Sequence, residues 1–129
     1  MDLYNASMGE EDESPIELTL EQYEEAKAHY STIIERADAA RRLADNADFK
    51  ALVMEGYLTD EPQRLAELVA SGRLNEKVRE DCSRQLVSIG DFRTYMKNII
   101  EQGNMARDEM VALEEARDEA IKAEEAAAG

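Results

Sequence analysis

The chain has one histidine, His29, and one cysteine, Cys82, the side chains that most often bind metals or act as nucleophiles. Glu25 precedes His29 by one helical turn, but a metal site needs more ligands at fixed spacing, and di-iron bundles need two Glu-x-x-His motifs. Cys82 lies among apolar residues at helical spacing, which is typical of a buried small side chain. As a nucleophile it would need a base, and only His29 is available. We therefore predict no metal site and no catalytic residue.

Other sequence motifs that carry chemistry are absent as well. The chain has no glycine-rich phosphate loop, no zinc-ligand spacing, no calcium-binding loop and no nucleophile elbow. A single cysteine also rules out an intramolecular disulfide. The sequence thus predicts a protein that is not an enzyme and that uses no cofactor.

The charge is concentrated at the two ends of the chain. The formal net charge is −15. Residues 1–26 carry nine acids and no Lys or Arg, residues 27–107 balance 13 acids with 13 bases, and residues 108–129 carry eight acids with Arg117 and Lys122. If the two ends lie together, they form one acidic pole. The predicted members of this acidic pole are Glu10, Glu11, Asp12, Glu13, Glu21, Glu114, Glu115 and Glu119.

This charge has three interpretations. High net charge favours solubility and suppresses aggregation whatever the function. An acidic pole can also bind a basic protein surface with fast, salt-sensitive association. A more specific version of this interpretation is DNA mimicry, in which carboxylates on a helical rod take the place of DNA phosphates and occupy the DNA-binding site of an enzyme. Direct binding to nucleic acid or to an anionic membrane is not expected, because both need a basic face.

The composition predicts an all-α protein. Charged residues make up 35% of the chain and aromatic residues 5%, with six glycines and two prolines, a mixture typical of long helices and coiled coils. No apolar run approaches the roughly 20 residues of a membrane span, and the acidic N-terminus is unlike a signal peptide. We expect a soluble, intracellular protein with one helical domain at 16–125, between a disordered acidic tail (1–15) and a frayed end (126–129).

Capping residues predict where the helices begin. Thr19 with Gln22 forms a capping-box pattern before the first helix. The candidate caps of the helices that follow are Asp45 or Asn46, then Thr59 or Asp60, and then Asn75. The predicted helices are 19–44, 47–55, 61–71 and 76–124.

Glycines predict where helices end. Gly56 and Gly72 are expected to stop the two short helices, since glycine readily takes the left-handed conformation that follows a helix. Gly90 and Gly103 allow a kink or a break in the last helix. The heptad phase passes through both without a slip, which favours one long helix.

Apolar residues at 3-4 spacing form a seam on the first and last helices, as in a coiled coil. We expect the first helix to pack back along the C-terminal part of the last one as an antiparallel hairpin. The seam is wider than a two-helix contact, so self-association into an oligomer should cover it. The predicted seam and oligomer residues are Tyr30, Ile33, Ile89, Phe92, Met96, Ile99, Met110 and Leu113. A separate apolar cluster, predicted at the closed end, comprises Phe49, Leu52, Val53, Tyr57, Leu65, Leu68 and Val69.

The stretch from Asn46 to Ala106 is the most distinctive part of the sequence. It contains Asn-Ala-Asp-Phe-Lys-Ala-Leu-Val-Met-Glu-Gly-Tyr-Leu at 46–58, then Glu61, Arg64-Leu65, and Ile-Gly-Asp-Phe-Arg at 89–93. This stretch resembles small, acidic, helical accessory proteins encoded by tailed bacteriophages. The resemblance covers under half of the chain. The resemblance carries over no catalytic residue. It implies a virion or assembly component, in the host cytoplasm or the virion, or an inhibitor of a host enzyme.

The sequence therefore predicts a non-enzymatic assembly or scaffold-like protein. It would oligomerise through its helices and present the acidic pole to a basic protein partner. The alternative is a DNA-mimic inhibitor of a host nucleic-acid-binding enzyme.

Overall fold

The structure, a computed structural model, describes residues 18–128. This part of the chain is all-α and has no strand, which confirms the predicted fold class. It contains three helices: α1 (Leu20–Ala44), α2 (residues 47–70) and α3 (Glu76–Ala128). The predicted tail at 1–15 lies outside the described residues. Residues 126–128, expected to fray, belong to α3, as their high-propensity alanines allow.

The first helix begins at the predicted capping box. The Thr19 hydroxyl accepts a hydrogen bond from the Gln22 backbone N–H (3.0 Å), and the Gln22 side chain accepts one from the Thr19 N–H (3.1 Å). Two otherwise unpaired backbone donors are thereby satisfied. Arg41 and Arg42 in the last turn complement the negative end of the helix dipole. The ends of α1 are thus set by local sequence.

The second helix corrects the prediction of two short helices. It is α-helical at Ala47–Phe49, π-helical at Lys50–Asp60 and α-helical again at Glu61–Ala70. The expected stop at Gly56 is wrong, because its backbone stays helical and its carbonyl accepts the Glu61 N–H five residues on. The expected cap at Thr59 or Asp60 is wrong too, since both residues are themselves helical and Asp60 makes no side-chain cap bond. Wider π-helical turns carry the chain through both positions.

The third helix begins where predicted and is continuous. Gly72, with φ of +71°, turns the chain after α2, and the Asn75 side chain then accepts the Val78 N–H (2.9 Å). The helix spans 53 residues, about 80 Å at 1.5 Å per residue. Gly90 and Gly103 lie inside it, so neither breaks it. The favoured alternative of a single long helix is the one observed.

The first two helices contact successive parts of α3. Near the start of α1, Tyr23 meets Glu114 of α3, and near its end Arg41 meets Asn104, so the two helices run antiparallel. Further on, Tyr57 and Leu65 of α2 pack against the first part of α3. The resulting core is thin. The buried residues of 18–128 are Tyr23, Ala37, Ala40, Leu65, Cys82, Ile89, Gly103 and Ala106.

Candidate functional site

The acidic pole is the first candidate site. Four of its predicted members, Glu10 to Glu13, lie outside the described residues. The other four lie in the structure, on neighbouring ends of two helices: Glu21 on α1, and Glu114, Glu115 and Glu119 on α3. The contact between Tyr23 and Glu114 brings these ends together. Glu21, Glu115 and Glu119 are exposed, whereas Glu114 is half-buried.

Tyr23 joins the two helices at this end. Its side chain is 3% exposed, and its hydroxyl donates a 2.6 Å hydrogen bond to Glu114 Oε1. Arg117 lies over the Tyr23 ring, 5.0 Å from the centroid, and its guanidinium is 3.7 Å from Glu114 Oε2. A buried tyrosine needs a partner for its hydroxyl, and Glu114 supplies it. We therefore assign Glu114 to holding the helices together and the exposed acids around it to the surface of the pole.

The predicted seam is only partly covered in a single chain. Met96, Ile99, Met110 and Leu113 of α3 are each half-buried, and so are Tyr30, Ile33 and Phe92. The fully buried positions between α1 and α3 are mostly small residues, such as Ala37 and Gly103. Small residues let the backbones approach closely, which leaves the larger side chains at the sides of the contact. These side chains remain available to a further helix.

Ile89 corrects the predicted seam. It is 3% exposed and packs with Leu65 and Cys82 in a cluster between α2 and α3. Since α2 already covers it, Ile89 is not available to a second copy of the chain. Sequence spacing alone placed it in line with residues that α1 covers. It gave no indication that a different helix lies over this part of α3.

The predicted apolar cluster is also corrected. Leu65 is its buried centre, at 1% exposure, with Val69 half-buried beside it. Leu52 is 74% exposed and therefore does not belong to the cluster, while Tyr57 and Leu68 are mostly covered, at 38% and 36% exposure. Leu52 lies in the π-helical turns, where 3.6-residue spacing no longer predicts which side chains share a face. Phe49 and Val53, two other predicted members, are half-buried.

An open groove of about 470 Å³ lies between α2 and α3 near the closed end. Tyr57 is at its edge and contacts Phe92 edge-on, with ring centroids 6.1 Å apart. Its charged side chains are held in neighbouring ion pairs, Glu61 with Arg64 and Asp81 with Arg84. The lining residues are Tyr57, Glu61, Asp81, Arg84, Gln85, Ser88 and Ile89.

The hydrogen bond from Arg64 lowers the pKa of the Glu61 carboxyl, an effect that desolvation partly opposes and the charge of Arg64 reinforces. The same contact raises the pKa of Arg64. Both groups are thus held in their charged forms. This pair is a stable feature of the groove wall at neutral pH.

The chain's single histidine, His29, is on α1, and its single cysteine, Cys82, is on α3. His29 is exposed and lies beside Tyr30, with ring centroids 5.5 Å apart. Cys82 is buried in the cluster around Leu65. Across residues 18–128, no group of three or more His, Cys, Asp or Glu side chains could hold a metal ion. Within that range no helix is both long enough and apolar enough to cross a membrane.

Comparisons with models of known families, with curated proteins and with solved structures found no match to this chain. The interpretation of its surfaces therefore depends on their geometry and charge.

Sequence reasoning missed two features of these surfaces. Tyr23 lies seven residues before Tyr30 of the predicted seam, but its hydroxyl is the link to Glu114, which lies 91 residues away in the chain. Sequence reasoning did not predict the groove, because that depends on α2 and α3 packing side by side. A buried seam tyrosine was the only signal for the first feature, and no sequence signal indicated the second.

Proposed function

We propose that this protein is a non-enzymatic assembly factor that self-associates through its half-buried seam and presents the acidic pole to a basic protein. The proposal rests mainly on the partial burial of the seam within a single chain. Met96, Ile99, Met110 and Leu113 remain half-buried after α1 has packed on α3. Two helices cannot enclose such side chains, whereas a bundle of three or four helices can.

The composition of the intramolecular contact supports the same proposal. Ala37 and Ala40 of α1 and Gly103 and Ala106 of α3 are buried, but they contribute little apolar area. The larger apolar area lies on the flanking residues. Burial of apolar area yields roughly 25 cal/mol per Å², so covering these residues with a second copy favours association. The resemblance of 46–106 to phage accessory proteins supports a role in virion assembly.

The test of self-association compares two methionines on α3. Met110 is half-buried on the seam, and Met105 is 67% exposed. We expect Met110→Asp to reduce the mass measured by light scattering to that of a monomer, with Met105→Asp leaving the mass of the wild type. Circular dichroism reports whether the helices persist, and Met110→Ala serves if the aspartate variant unfolds. A wild-type monomer, or two variants that behave alike, would contradict self-association.

The acidic pole supports the second part of the proposal. Glu21, Glu115 and Glu119 are exposed on neighbouring helix ends, where their charges add to the potential felt by an approaching partner. Lys122 is the one base after Arg117 in α3. A basic protein is the class of partner that this charge attracts, and the association should weaken as salt screens it.

The test of the pole is a pull-down from host extract at low and high salt. The triple variant Glu21→Gln, Glu115→Gln and Glu119→Gln removes charge but spares Glu114 and its bond to Tyr23. The matched control neutralises three exposed acids of the charge-balanced region, Glu67, Glu76 and Glu80. We expect a basic protein to be lost with the first triple and retained with the second. Equal retention by both would show that the pole only solubilises the chain.

DNA mimicry is the alternative, and the continuity of α3 favours it. The helix runs without a break from Arg117 to Ala128, so its carboxylates are held on a rigid backbone. A mimic would be displaced from its target by duplex DNA and would inhibit a nucleic-acid enzyme. A general assembly factor would be insensitive to added DNA. Competition by duplex DNA in the same pull-down therefore distinguishes the two functions.

A further inference from the structure

The hairpin of α1 and α3 has two sides, and a different polar contact crosses each. On the ion-pair side, Asp38 of α1 pairs with Arg107 of α3. On the tyrosine side, Arg36 of α1 donates a 3.0 Å hydrogen bond to the Tyr95 hydroxyl of α3. Asp38 follows Arg36 by two residues, which is about 200° around a helix, so the two contacts lie on opposite sides of α1.

Two adjacent isoleucines of α1 divide between these sides. Residues three or four apart share one side of a helix. Ile33 comes three residues before Arg36 and therefore lies on the tyrosine side. Ile34 comes four residues before Asp38 and therefore lies on the ion-pair side. Both isoleucines are half-buried, so the two sides of α1 differ in charge rather than in apolar side chain.

Two adjacent isoleucines of α3 divide in the same way. Ile99 comes four residues after Tyr95 and lies on the tyrosine side. Ile100 comes one heptad before Arg107 and lies on the ion-pair side. Both are half-buried. Each side of the hairpin thus has one half-buried isoleucine from each helix, and the surrounding residues decide which side a second copy covers.

The charges of the ion-pair side are already paired within the chain. Asp38 accepts from Arg107 and lies 3.4 Å from Arg41, which in turn donates to Asn104. A second copy on this side would remove water from these charged groups, and the cost of desolvating paired charges can exceed what their attraction returns. The ion-pair side therefore favours contact with water.

The tyrosine side continues into larger apolar residues. On α1, Leu43 comes seven residues after Arg36 and is 46% exposed. On α3, Leu113 comes two heptads after Ile99, and Met110 comes three residues before Leu113. Leu113 and Met110 are both half-buried. Four of the residues that a single chain leaves partly uncovered therefore lie along one side of the hairpin.

The charge of Arg36 does not prevent a contact on the tyrosine side. Its hydrogen bond to Tyr95 draws the side chain toward α2 and away from Leu113. A long arginine side chain can pack its apolar stem against a neighbour while its guanidinium stays in water. Arg36 therefore suits the rim of an interface that has Ile99 and Leu113 at its centre.

The tyrosine side has the area of a stable interface. The first helix has 25 residues, so α1 and α3 lie side by side for about 37 Å. Two helices, each about 10 Å wide, then give a face of roughly 750 Å². A stable protein–protein interface buries about 800 Å² on each partner. A second hairpin presents a face of the same size and the same apolar character, whereas a single helix would cover about half of it.

We infer that a second copy of the chain covers the tyrosine side of the hairpin, so that the two hairpins form a twofold four-helix bundle. Ile33, Ile99 and Leu113 are enclosed in this bundle, and the ion-pair side faces water. The inference rests on the proposed self-association and assigns it to one side of the seam. Met110 lies on this side, so the contact agrees with the effect expected of Met110→Asp.

Matched isoleucine variants test the inference. Ile99→Gln and Ile100→Gln make the same change at adjacent half-buried residues, so their effects within one chain should be similar. Ile99→Gln should raise the dimer dissociation constant about thirtyfold, because the polar side chain enters a twofold interface twice. Ile100→Gln should change it by less than about twofold. Sedimentation measures both constants, and Ile33→Gln with Ile34→Gln repeats the comparison on α1.

Cysteine labelling reports the covered side without depending on stability. Gln102, seven residues after Tyr95, is exposed on the tyrosine side, and Val111, four residues after Arg107, is 59% exposed on the ion-pair side. A maleimide should label Gln102→Cys more slowly as the protein concentration rises through the dissociation constant. It should label Val111→Cys at a constant rate. The native Cys82 is 4% exposed and gives the same slow background in both variants.

The outcomes separate this inference from the proposed function. If Ile100→Gln weakens the dimer as much as Ile99→Gln or more, self-association stands but its assignment to the tyrosine side is wrong. The assignment is also wrong if neither variant weakens a dimer that Met110→Asp dissociates. If the glutamine variants unfold, labelling decides, and equal protection of both new cysteines overturns the inference. If the wild type is a monomer at every concentration, the contact and the proposed self-association both fail.

Discussion

Ala37 of α1 lies directly against Gly103 of α3, so closely that a β-carbon on Gly103 would be 2.1 Å from the β-carbon of Ala37. No side chain fits in that space, and both residues are buried. The contact fixes how near the two helices approach and at which register they meet. It also explains why the larger seam residues are left at the sides of the hairpin.

Substituting alanine at the two inner glycines of α3 should have opposite effects. Gly103→Ala forces the helices apart and should lower the free energy of unfolding by about 1–3 kcal/mol, the usual cost of overpacking. Gly90→Ala meets no atom within 4 Å and should raise it by about 1 kcal/mol, because alanine favours helix over glycine. Urea unfolding at one protein concentration measures both.

The control for this pair is a compensating change on α1. Ala37→Gly combined with Gly103→Ala removes the β-carbon that the new alanine meets, so the double variant should be more stable than the sum of the two single changes predicts. If Gly103→Ala stabilises the protein as much as Gly90→Ala, the close approach of α1 and α3 is wrong.

Removing the Tyr23 hydroxyl should weaken the contact between α1 and α3 at the acidic pole. In Tyr23→Phe, the Glu114 carboxylate loses the hydrogen bond it accepts in a partly buried position, at a cost of about 1–2 kcal/mol in the free energy of unfolding. Tyr95→Phe is the matched control, since Tyr95 is 55% exposed and its hydroxyl accepts from Arg36 at the surface. Its effect should be within about 0.5 kcal/mol. If thermal unfolding showed equal losses of stability in Tyr23→Phe and Tyr95→Phe, the assigned role of Tyr23 would be wrong.

Two leucines of α2 distinguish the observed cluster from the predicted one. Leu65 is 1% exposed against Cys82 and Ile89, so Leu65→Ala should cost about 2–5 kcal/mol through the cavity it leaves. Leu52 is 74% exposed, and Leu52→Ala should change stability by less than about 0.5 kcal/mol. Chemical unfolding of both variants provides the comparison. A large loss at Leu52 would show that it has an apolar partner.

The contact between Glu61 and Arg64 should make the stability of the protein depend slightly on pH. The hydrogen bond from Arg64 lowers the pKa of Glu61 in the folded protein, so folding favours the carboxylate. This contribution to stability is present above the carboxyl's unfolded pKa and is lost as the pH falls through the lower folded value. Glu61→Gln should therefore be slightly less stable than the wild type at pH 7. At acid pH the two proteins should converge.

The measurement is the difference in unfolding midpoint between Glu61→Gln and the wild type across a pH series. The contact is at the surface, so the difference at neutral pH should be small and should shrink further in high salt. If the stability difference between Glu61→Gln and the wild type grew as the pH fell, the pH dependence would have the opposite sign. The hydrogen bond from Arg64 could then not be its cause.

Local features of the fold were predictable because they depend on neighbours in sequence. Thr19 and Gln22 form the capping box, and Asn46 and Asn75 cap the next two helices, through bonds that span only three residues. The heptad phase indicated one continuous α3. Such bonds form regardless of how the rest of the chain packs, so a sequence pattern is sufficient to predict them.

The failures concern residues whose state depends on an irregular helix or on a distant partner. Gly56 stays helical because α2 takes π-helical turns, and Leu52 is exposed for the same reason. Ile89 is covered by α2, although its spacing matches residues that α1 covers. A period of 3.6 residues predicts which side chains share a face, but not which helix, if any, packs against that face.

The sequence by itself determined the helical class, the helix caps and the separation of charge along the chain, since propensity, capping and charge are properties of single residues and their near neighbours. Only the tertiary structure decided that Ala37 meets Gly103, that Tyr23 reaches Glu114, and that α2 leaves a groove beside Ser88. These contacts join residues up to 91 positions apart. They exist because side-chain shape selects one register among several that the same apolar spacing would allow.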